Sequence, residues 1–223
     1  MFVYQPAADP IEPEIVKALS EVCTSTLGHL RDYGFAKGLQ PLTRPTRFVG
    51  AAVTVRIPFM DSTAVHVAVD DLRPGDVIVV EHCGDRSRSC FGGMVAYTAK
   101  TRGAAGGLFD GPVNDYDEII AAEFPVYSRG ISSHTTRQLG IEGAINVPVT
   151  VGGAIVQPGD VIWADSDGVA ILAPDEALGI ASVLREKEEA EIPLRKAIDE
   201  GKRLSDWSGA AAAFRAGFVS TGG

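Results

Sequence analysis

Gly92, Gly93, Asn114, Asp115 and Glu118 are the residues of this chain whose types and spacing could do chemistry together. Most of them fall in one stretch, GMVAYTAKTRGAAGGLFDGPVNDYDE, from Gly93 to Glu118. A Gly-Gly pair opens a predicted helix, a short apolar strand follows, and a loop then delivers Asn114, Asp115 and Glu118. Without Cβ atoms at Gly92 and Gly93 a ligand can reach the backbone, and the N–H groups of Met94 and Val95 at a helix start have no intrahelical acceptor. Such groups suit an anion, and the nearby carboxylates suit a hard cation such as Mg²⁺ or Mn²⁺. A site holding both could bind a small carboxylate through a metal. Each feature also has a plainer reading. A Gly-Gly pair makes a tight loop into a helix, and Asp115 followed three residues later by Glu118 fits a helix N-cap. The residues alone leave these readings open.

Other candidates carry less. Glu81, His82, Cys83, Asp85 and Cys90 gather soft and hard ligands in one loop, but their spacing matches no zinc pattern, and unliganded thiols are expected. His66, in a helical segment, could face a substrate pocket but reads first as a hydrogen-bonded core histidine, and His134, in a polar loop, as a surface one. No nucleophile elbow, no G-x-x-x-x-G-K-[ST] and no G-x-G-x-x-G after a strand occurs, so nucleotide binding has no support.

The elements that must position these residues alternate. A helix is expected from about Glu14 to Tyr33, and Gly38 to Pro45 is read as a loop. A strand is expected over Phe48–Ile57, a helix over Ser62–Leu72 and a buried strand over Val77–Glu81. Helix, strand and helix follow over Gly93–Arg102, Ala105–Phe109 and Asp115–Ala122, then a short strand over Pro125–Ser128. This order argues for a parallel or mixed sheet with helices packed on it. After about Gly143 short strands are expected at Ala144–Val149, Thr150–Val156, Val161–Ala164 and Val169–Leu172. Asp175–Gly201 is helical and charged, with a kink or break expected at Pro193. Ser205–Phe218 is read as a further helix and Ser220–Gly223 as a frayed tail.

The bulk numbers narrow the function classes. A length of 223 residues with 45% hydrophobic and 22% charged residues suits one folded domain with a sizeable core. A net charge of −9 disfavours nucleic acid and anionic membrane as partners. Three cysteines make no disulfide framework, and no apolar run approaches a membrane span. The N-terminal MFVYQPAADP lacks the features of a secretory signal, so a cytoplasmic location is expected.

Gly93, twenty intervening residues, Asn114-Asp115, two residues and Glu118 together resemble a known signature. It belongs to the family that joins the class II 4-hydroxy-4-methyl-2-oxoglutarate/4-carboxy-4-hydroxy-2-oxoadipate aldolases with the RraA-like regulators of ribonuclease E activity. The segments FGGMVAYTAKTRG, GLFDGPVNDYDEI, FPVYSRGIS and NVPVTVGGAIVQPGDVIWADSDGVAILAP extend the similarity from about Leu19 to Leu204.

The resemblance implies an α/β fold of the swivelling β/β/α type, a single domain over residues 1–223 with a mixed sheet flanked by helices. Helices from about 175 to 218 would then be an extension, packed on that domain or on a neighbour. It also implies a homotrimer or a homohexamer built as a dimer of trimers, with sites between subunits. In the aldolases a divalent metal, Mg²⁺ or Mn²⁺, is held at the position of Asp115, with acids such as Glu118 and waters completing its shell. The substrate carboxylate rests on the N–H groups of Gly93, Met94 and Val95 beside Gly92. The motif arginine donates to the keto oxygen.

This chain departs from the motif at that arginine, which is Asn114. Asparagine can donate a hydrogen bond but brings no charge and no bidentate fork. Another cation, such as Arg86, Arg102 or Arg129, could take its place, or the substrate could differ. The expected activity is a metal-dependent lyase on a small oxo-acid, either retro-aldol cleavage or oxaloacetate-type decarboxylation through a metal-bound enolate. The catalytic residues would be Asn114 and Asp115. The alternatives are a non-catalytic ribonuclease-regulator-like binding protein and a family enzyme with changed chemistry, such as a dehydratase or hydrolase.

Overall fold

The fold was analysed in a computed structural model, which describes residues 1–217. In chain order the elements are β1 (Phe2–Tyr4), α1 (Pro13–Ser20), α2 (Thr24–Leu27), β2 (Gln40–Pro41), β3 (Phe48–Arg56), α3 (Thr63–Asp70), β4 (Asp76–Glu81), α4 (Gly93–Thr101), β5 (Gly106–Phe109) and α5 (Tyr116–Ala121). There follow β6 (Val126–Ser128), β7 (Gly143–Ile145), β8 (Val149–Val151), β9 (Ala154–Val156), β10 (Val161–Ala164), β11 (Val169–Leu172), α6 (Pro174–Asp199), α7 (Leu204–Trp207) and α8 (Ala210–Ala216). Contacts divide the chain into two compact units, Met1–Leu184 and a second beginning at Arg185.

In the first unit β3, β4, β5 and β6 run parallel, joined in turn by α3, α4 and α5. The sheet continues in the order β1-β7-β3-β4-β5-β6-β2, with β10 and β11 added antiparallel beside β3. It is thus a mixed sheet flanked by helices, as expected. Its central strands are buried on both faces, so they read as unbroken apolar runs. In β4 Ile78 and Val80 join a core with Val65 and Val69 of α3, Ala96 and Ala99 of α4 and Ile119 of α5. The alternate residues Val77 and Val79 face a second core with Val149, Val151, Ala154 and Val156 of the β8–β9 hairpin. Helices therefore cover one face and a small second sheet the other.

Several boundaries differ from the sequence reading, each for a tertiary reason. The helix expected over Glu14–Tyr33 is two short ones. Between them, the backbone N–H and Oγ1 of Thr24 donate to the buried Asp165 carboxylate at 2.7 and 2.6 Å, and this contact breaks the helix. The segment read as a loop around Gly38–Pro45 contains β2, which pairs with β6. Thr150–Val156 is not one strand but most of a hairpin, turned at Gly152 (φ 60°) and Gly153 (φ 79°). Positive φ at both central residues suits the twist of a two-residue hairpin turn. Helix α6 runs through Pro193 without ending there, so of the kink or break expected at that residue the break does not occur. The Ser205–Phe218 helix is divided at Gly209, whose φ is 75°, and its last residue lies outside the described residues. The Ser220–Gly223 tail likewise lies outside them.

The second unit holds the rest of α6 with α7 and α8. It leaves Ile192, Leu204, Trp207 and Phe214 exposed. Among the described residues, no helix is long and apolar enough to cross a membrane.

Candidate active site

The carboxyl ends of adjacent parallel strands are where α/β sheets commonly build ligand sites. Here the loop after β4 leads to Gly92 and Gly93, and the loop after β5 leads to Asn114 and Asp115. The backbone N–H of Asn114 donates to the Phe91 carbonyl at 3.0 Å and ties the two loops together. All five residues singled out in the sequence converge at this junction.

Asp115 does not do what its position suggests. It occupies the N-cap position of α5 yet makes no side-chain cap bond. Its backbone carbonyl accepts from the N–H of Glu118 and Ile119, while its carboxylate accepts from the N–H of Gly93 at 2.9 Å, the first residue of α4. The backbone of Asp115 is left-handed, φ 51° and ψ 48°. That conformation costs a non-glycine residue roughly 1–2 kcal/mol, and such strain is concentrated at functional sites. A carboxylate at the positive end of α4 is favourable in its own right. The Gly93 N–H is therefore already engaged, while Met94 and Val95 lie in the first turn, where N–H groups lack an intrahelical acceptor.

The glycines are demanded by close approach. A Cβ on Gly92 would lie 2.4 Å from Asn114 Nδ2 and 2.5 Å from Asp115 Oδ2. A Cβ on Gly93 would lie 1.8 Å from Glu118 Oε2 and 2.7 Å from its Cδ. Three polar side chains thus lean on two adjacent glycines. Asn114 is half-buried, and its side chain makes no hydrogen bond among the described residues; Asp115 and Glu118 are exposed. The donor set is two hard carboxylates with open access to water. It fits Mg²⁺ or Mn²⁺, which commonly take one or two carboxylates and fill the rest of the shell with water. Among the described residues no group of three or more His, Cys, Asp or Glu is arranged to hold a metal ion, so a protein-only cage is not what this site offers.

Of the three cations that could replace the missing arginine, two are committed elsewhere. Arg129 donates through Nε and Nη2 to Asp110 and through Nη1 to the Gly38 carbonyl. Arg102 follows the far end of α4 and lies 3.6 Å from Asp70. Arg86 is exposed and makes no hydrogen bond or ion pair among the described residues.

The remaining sequence candidates separate. Glu81 pairs with Arg56 at 2.7 Å. Asp85 is buried. Burial raises its pKa, but hydrogen bonds from Ser87 and Arg88 prevail and hold it well below the usual carboxylate range. Cys83 is exposed and Cys90 buried. His66, expected in the core, is exposed on α3 with its Nε2 2.7 Å from Gln138 Nε2, because its helix turns that side outward. His134 is exposed, as expected. His82, grouped in the sequence with loop thiols and acids, is instead fully buried with its Nε2 2.9 Å from Cys90 Sγ. Burial lowers its pKa to about 4, against the opposing pull of Asp110 and Asp85. The signal for it was its place one residue past a buried strand.

Similarity to known proteins shows the family of the chain. The sequence pattern of the RraA-like Aldolase/RraA family matches residues 17–171. A protein of Halalkalibacterium halodurans, described as a candidate 4-hydroxy-4-methyl-2-oxoglutarate aldolase, is 35% identical over 162 residues, 73% of this chain and 77% of that one. Streptomyces coelicolor RraAS2, described as an unusual member of the RNase ES inhibitor RraA protein family, superimposes with a TM-score of 0.74 at 28% identity, covering 86% of this chain and 98% of that one. An uncharacterized Pseudomonas syringae protein superimposes with a TM-score of 0.77 at 25% identity, covering 89% and 98%. With the pattern spanning well over half of the chain and the fold shared throughout that span, this protein belongs to the Aldolase/RraA family of RraA-like proteins.

Proposed function

We propose that the protein is a divalent-metal-dependent lyase acting on a small oxo-acid, by retro-aldol cleavage or by decarboxylation of an oxaloacetate-like acid. The observation that carries this reading is the packing of Asn114, Asp115 and Glu118 onto Gly92 and Gly93, with the Asp115 carboxylate on the Gly93 N–H. Asp115 and Glu118 would hold Mg²⁺ or Mn²⁺, and that ion would supply the positive charge that favours negative charge developing on a keto oxygen. Asn114 offers its unpaired amide N–H to the same oxygen. The N–H groups of Met94 and Val95 face the substrate carboxylate.

In the aldol case the hydroxyl gives up its proton to a water oriented by Glu118. Its C–O bond becomes a carbonyl, and the electron pair of the broken C–C bond passes to the pyruvyl carbon, which then takes up a proton. In the decarboxylation the same pair comes from the bond to the departing CO₂. Relatives bearing the aldolase description support the class. Family membership and the exposed Met94, Tyr97 and Tyr116 around the site support an assembly of trimers or hexamers. Light scattering that finds a stable monomer at micromolar concentration removes the assembly reading.

A second reading, binding of a ribonuclease without catalysis, is favoured by the loss of the motif arginine at Asn114 and by the RNase inhibitor description of a structural relative. The deciding experiment measures pyruvate release from a panel of 4-hydroxy-2-oxo acids and from oxaloacetate, with and without EDTA. The lyase reading expects EDTA-sensitive release that Asp115→Ala abolishes in a folded protein. No release, together with salt-resistant stoichiometric capture of a ribonuclease, establishes the second reading.

A further inference from the structure

His82 is held between the two loops that form the site. On one side its Nε2 lies 2.9 Å from Cys90 Sγ, at the start of the segment that leads into Gly92 and Gly93. On the other side the ring presses on Gly111, at the start of the segment that leads into Asn114. A Cβ on Gly111 would lie 2.2 Å from Nδ1, 2.5 Å from Cε1 and 2.6 Å from Cγ, that is, in the face of the imidazole. Gly111 has an ordinary backbone conformation, so the ring and not the chain geometry demands a glycine there.

The histidine is an expensive way to fill this space. It is fully buried, and among the described residues Nδ1 makes no hydrogen bond of good geometry. An apolar side chain of similar size would avoid that unpaired nitrogen. A ring gripped by a hydrogen bond on one side and a glycine on the other can, however, hold two loops at a set separation. Two backbone hydrogen bonds also tie the loops, from the Asn114 N–H to the Phe91 carbonyl and from the Gly93 N–H to Asp115, both inside the site itself, and Phe91 packs in one core with Val113.

We infer that His82 is a positioning residue that sets the separation of the Gly92–Gly93 and Asn114–Glu118 segments, through its hydrogen bond to Cys90 and its packing on Gly111. The inference rests on the location of the site proposed above. The groups around the ring keep the pair neutral. Burial disfavours the imidazolium and raises the Cys90 thiol, and outweighs Asp110, Asp85 and the backbone of Arg88, which favour a charged His82, while the positive Arg86 acts with burial. The bond is therefore one between neutral partners, and its value here is geometric.

The test is reciprocal suppression. Gly111→Ala drives a methyl into the ring, and His82→Ala removes the ring. Each alone should weaken Mn²⁺ binding, read by electron paramagnetic resonance, by about 10–100-fold, the usual effect of losing a group that orients metal ligands. Each should also raise kcat losses above KM changes on oxaloacetate, and speed hydrogen exchange in the 90–96 and 111–118 segments while β10 and β11 keep their protection. In the double variant the new methyl occupies part of the space the ring leaves, so Mn²⁺ affinity and protection should recover above either single variant. Cys90→Ser, which keeps a hydrogen-bonding partner, should stay close to the unaltered protein, whereas Cys90→Ala should not.

If Gly111→Ala is as damaging in the His82→Ala background as alone, the wedge does not exist. The inference also fails if the variants lower the melting temperature but leave Mn²⁺ affinity and both loops unchanged, for then His82 only fills the core. Should the unaltered protein bind no Mn²⁺ and turn over no keto acid, the lyase reading fails, while hydrogen exchange at the two loops still decides the role of His82.

Discussion

Replacing Gly93 by alanine separates the site from the fold. Gly93 has no positive φ, so alanine fits its backbone, and at the first position of α4 it is the better helix former by roughly 0.5–1 kcal/mol. The added methyl would lie 1.8 Å from Glu118 Oε2, and ordinary contact begins at 3.4 Å, so the carboxylate must retreat by about 1.6 Å. Glu118 is exposed, so its carboxylate can swing away, while its Cβ, 2.9 Å from the new methyl, must give by a few tenths of an ångström at a small cost to stability. A displacement of that size at reacting or metal-holding groups costs about 10²-fold in rate, close to 2.7 kcal/mol of barrier. The expected result is a melting temperature that changes little, with Mn²⁺ affinity and keto-acid kcat/KM both lowered by about 10–100-fold. Calorimetry and Mn²⁺ titration on the same preparation measure the two sides. Unchanged Mn²⁺ affinity and turnover in the Gly93→Ala protein would refute the argument that the glycine exists to admit Glu118. A large loss of stability would refute it differently, by showing that the glycine serves the fold.

Asn114→Arg should raise oxaloacetate decarboxylation or aldol cleavage by roughly tenfold or more, since one donor to a developing oxyanion is typically worth 10²–10³ in rate; flat activity in a folded, metal-binding variant means that another group already fills the role. Thr24→Val removes the hydroxyl donor from the buried Asp165 carboxylate, leaving the Thr24 backbone N–H in place, and should destabilise the protein by about 1–3 kcal/mol without touching Mn²⁺ binding, as urea unfolding with a parallel titration would show. His82 has a folded pKa of about 4, below the unfolded value of 6.5, so the unfolded chain binds more protons between those values and stability must fall as pH drops from about 6.5 to about 4. That loss can reach about 3 kcal/mol and should vanish in His82→Ala, which unfolding curves across this window would reveal. Asp61 and Asp85 add a separate loss below about pH 4. Burial raises both pKa values, but hydrogen bonds from Thr63, and from Ser87 and Arg88, prevail and hold them low.

The sequence by itself determined the core of the sheet and the address of the site. β3, β4 and β5 were legible because strands buried on both faces are unbroken apolar runs, and the helices between them because the pattern changes period at glycine- and proline-marked turns. Gly93 and the Asn114-Asp115-x-x-Glu118 group were legible because each sits at a strand-to-helix junction, where local spacing decides what the chain presents. Tertiary structure decided the rest. By local rules Asp115 is a helix cap; only the meeting of two loops, 22 residues apart, gives its carboxylate to the Gly93 N–H instead. The break after Ser20 depends on Asp165, distant in the chain, and β1 and β2 are too short to carry a pattern and exist only through the strands beside them. His82 is the clearest case. Its place one residue past a buried strand is a weak mark, because its partner Gly111 is brought to it only when parallel strands β4 and β5 lie side by side.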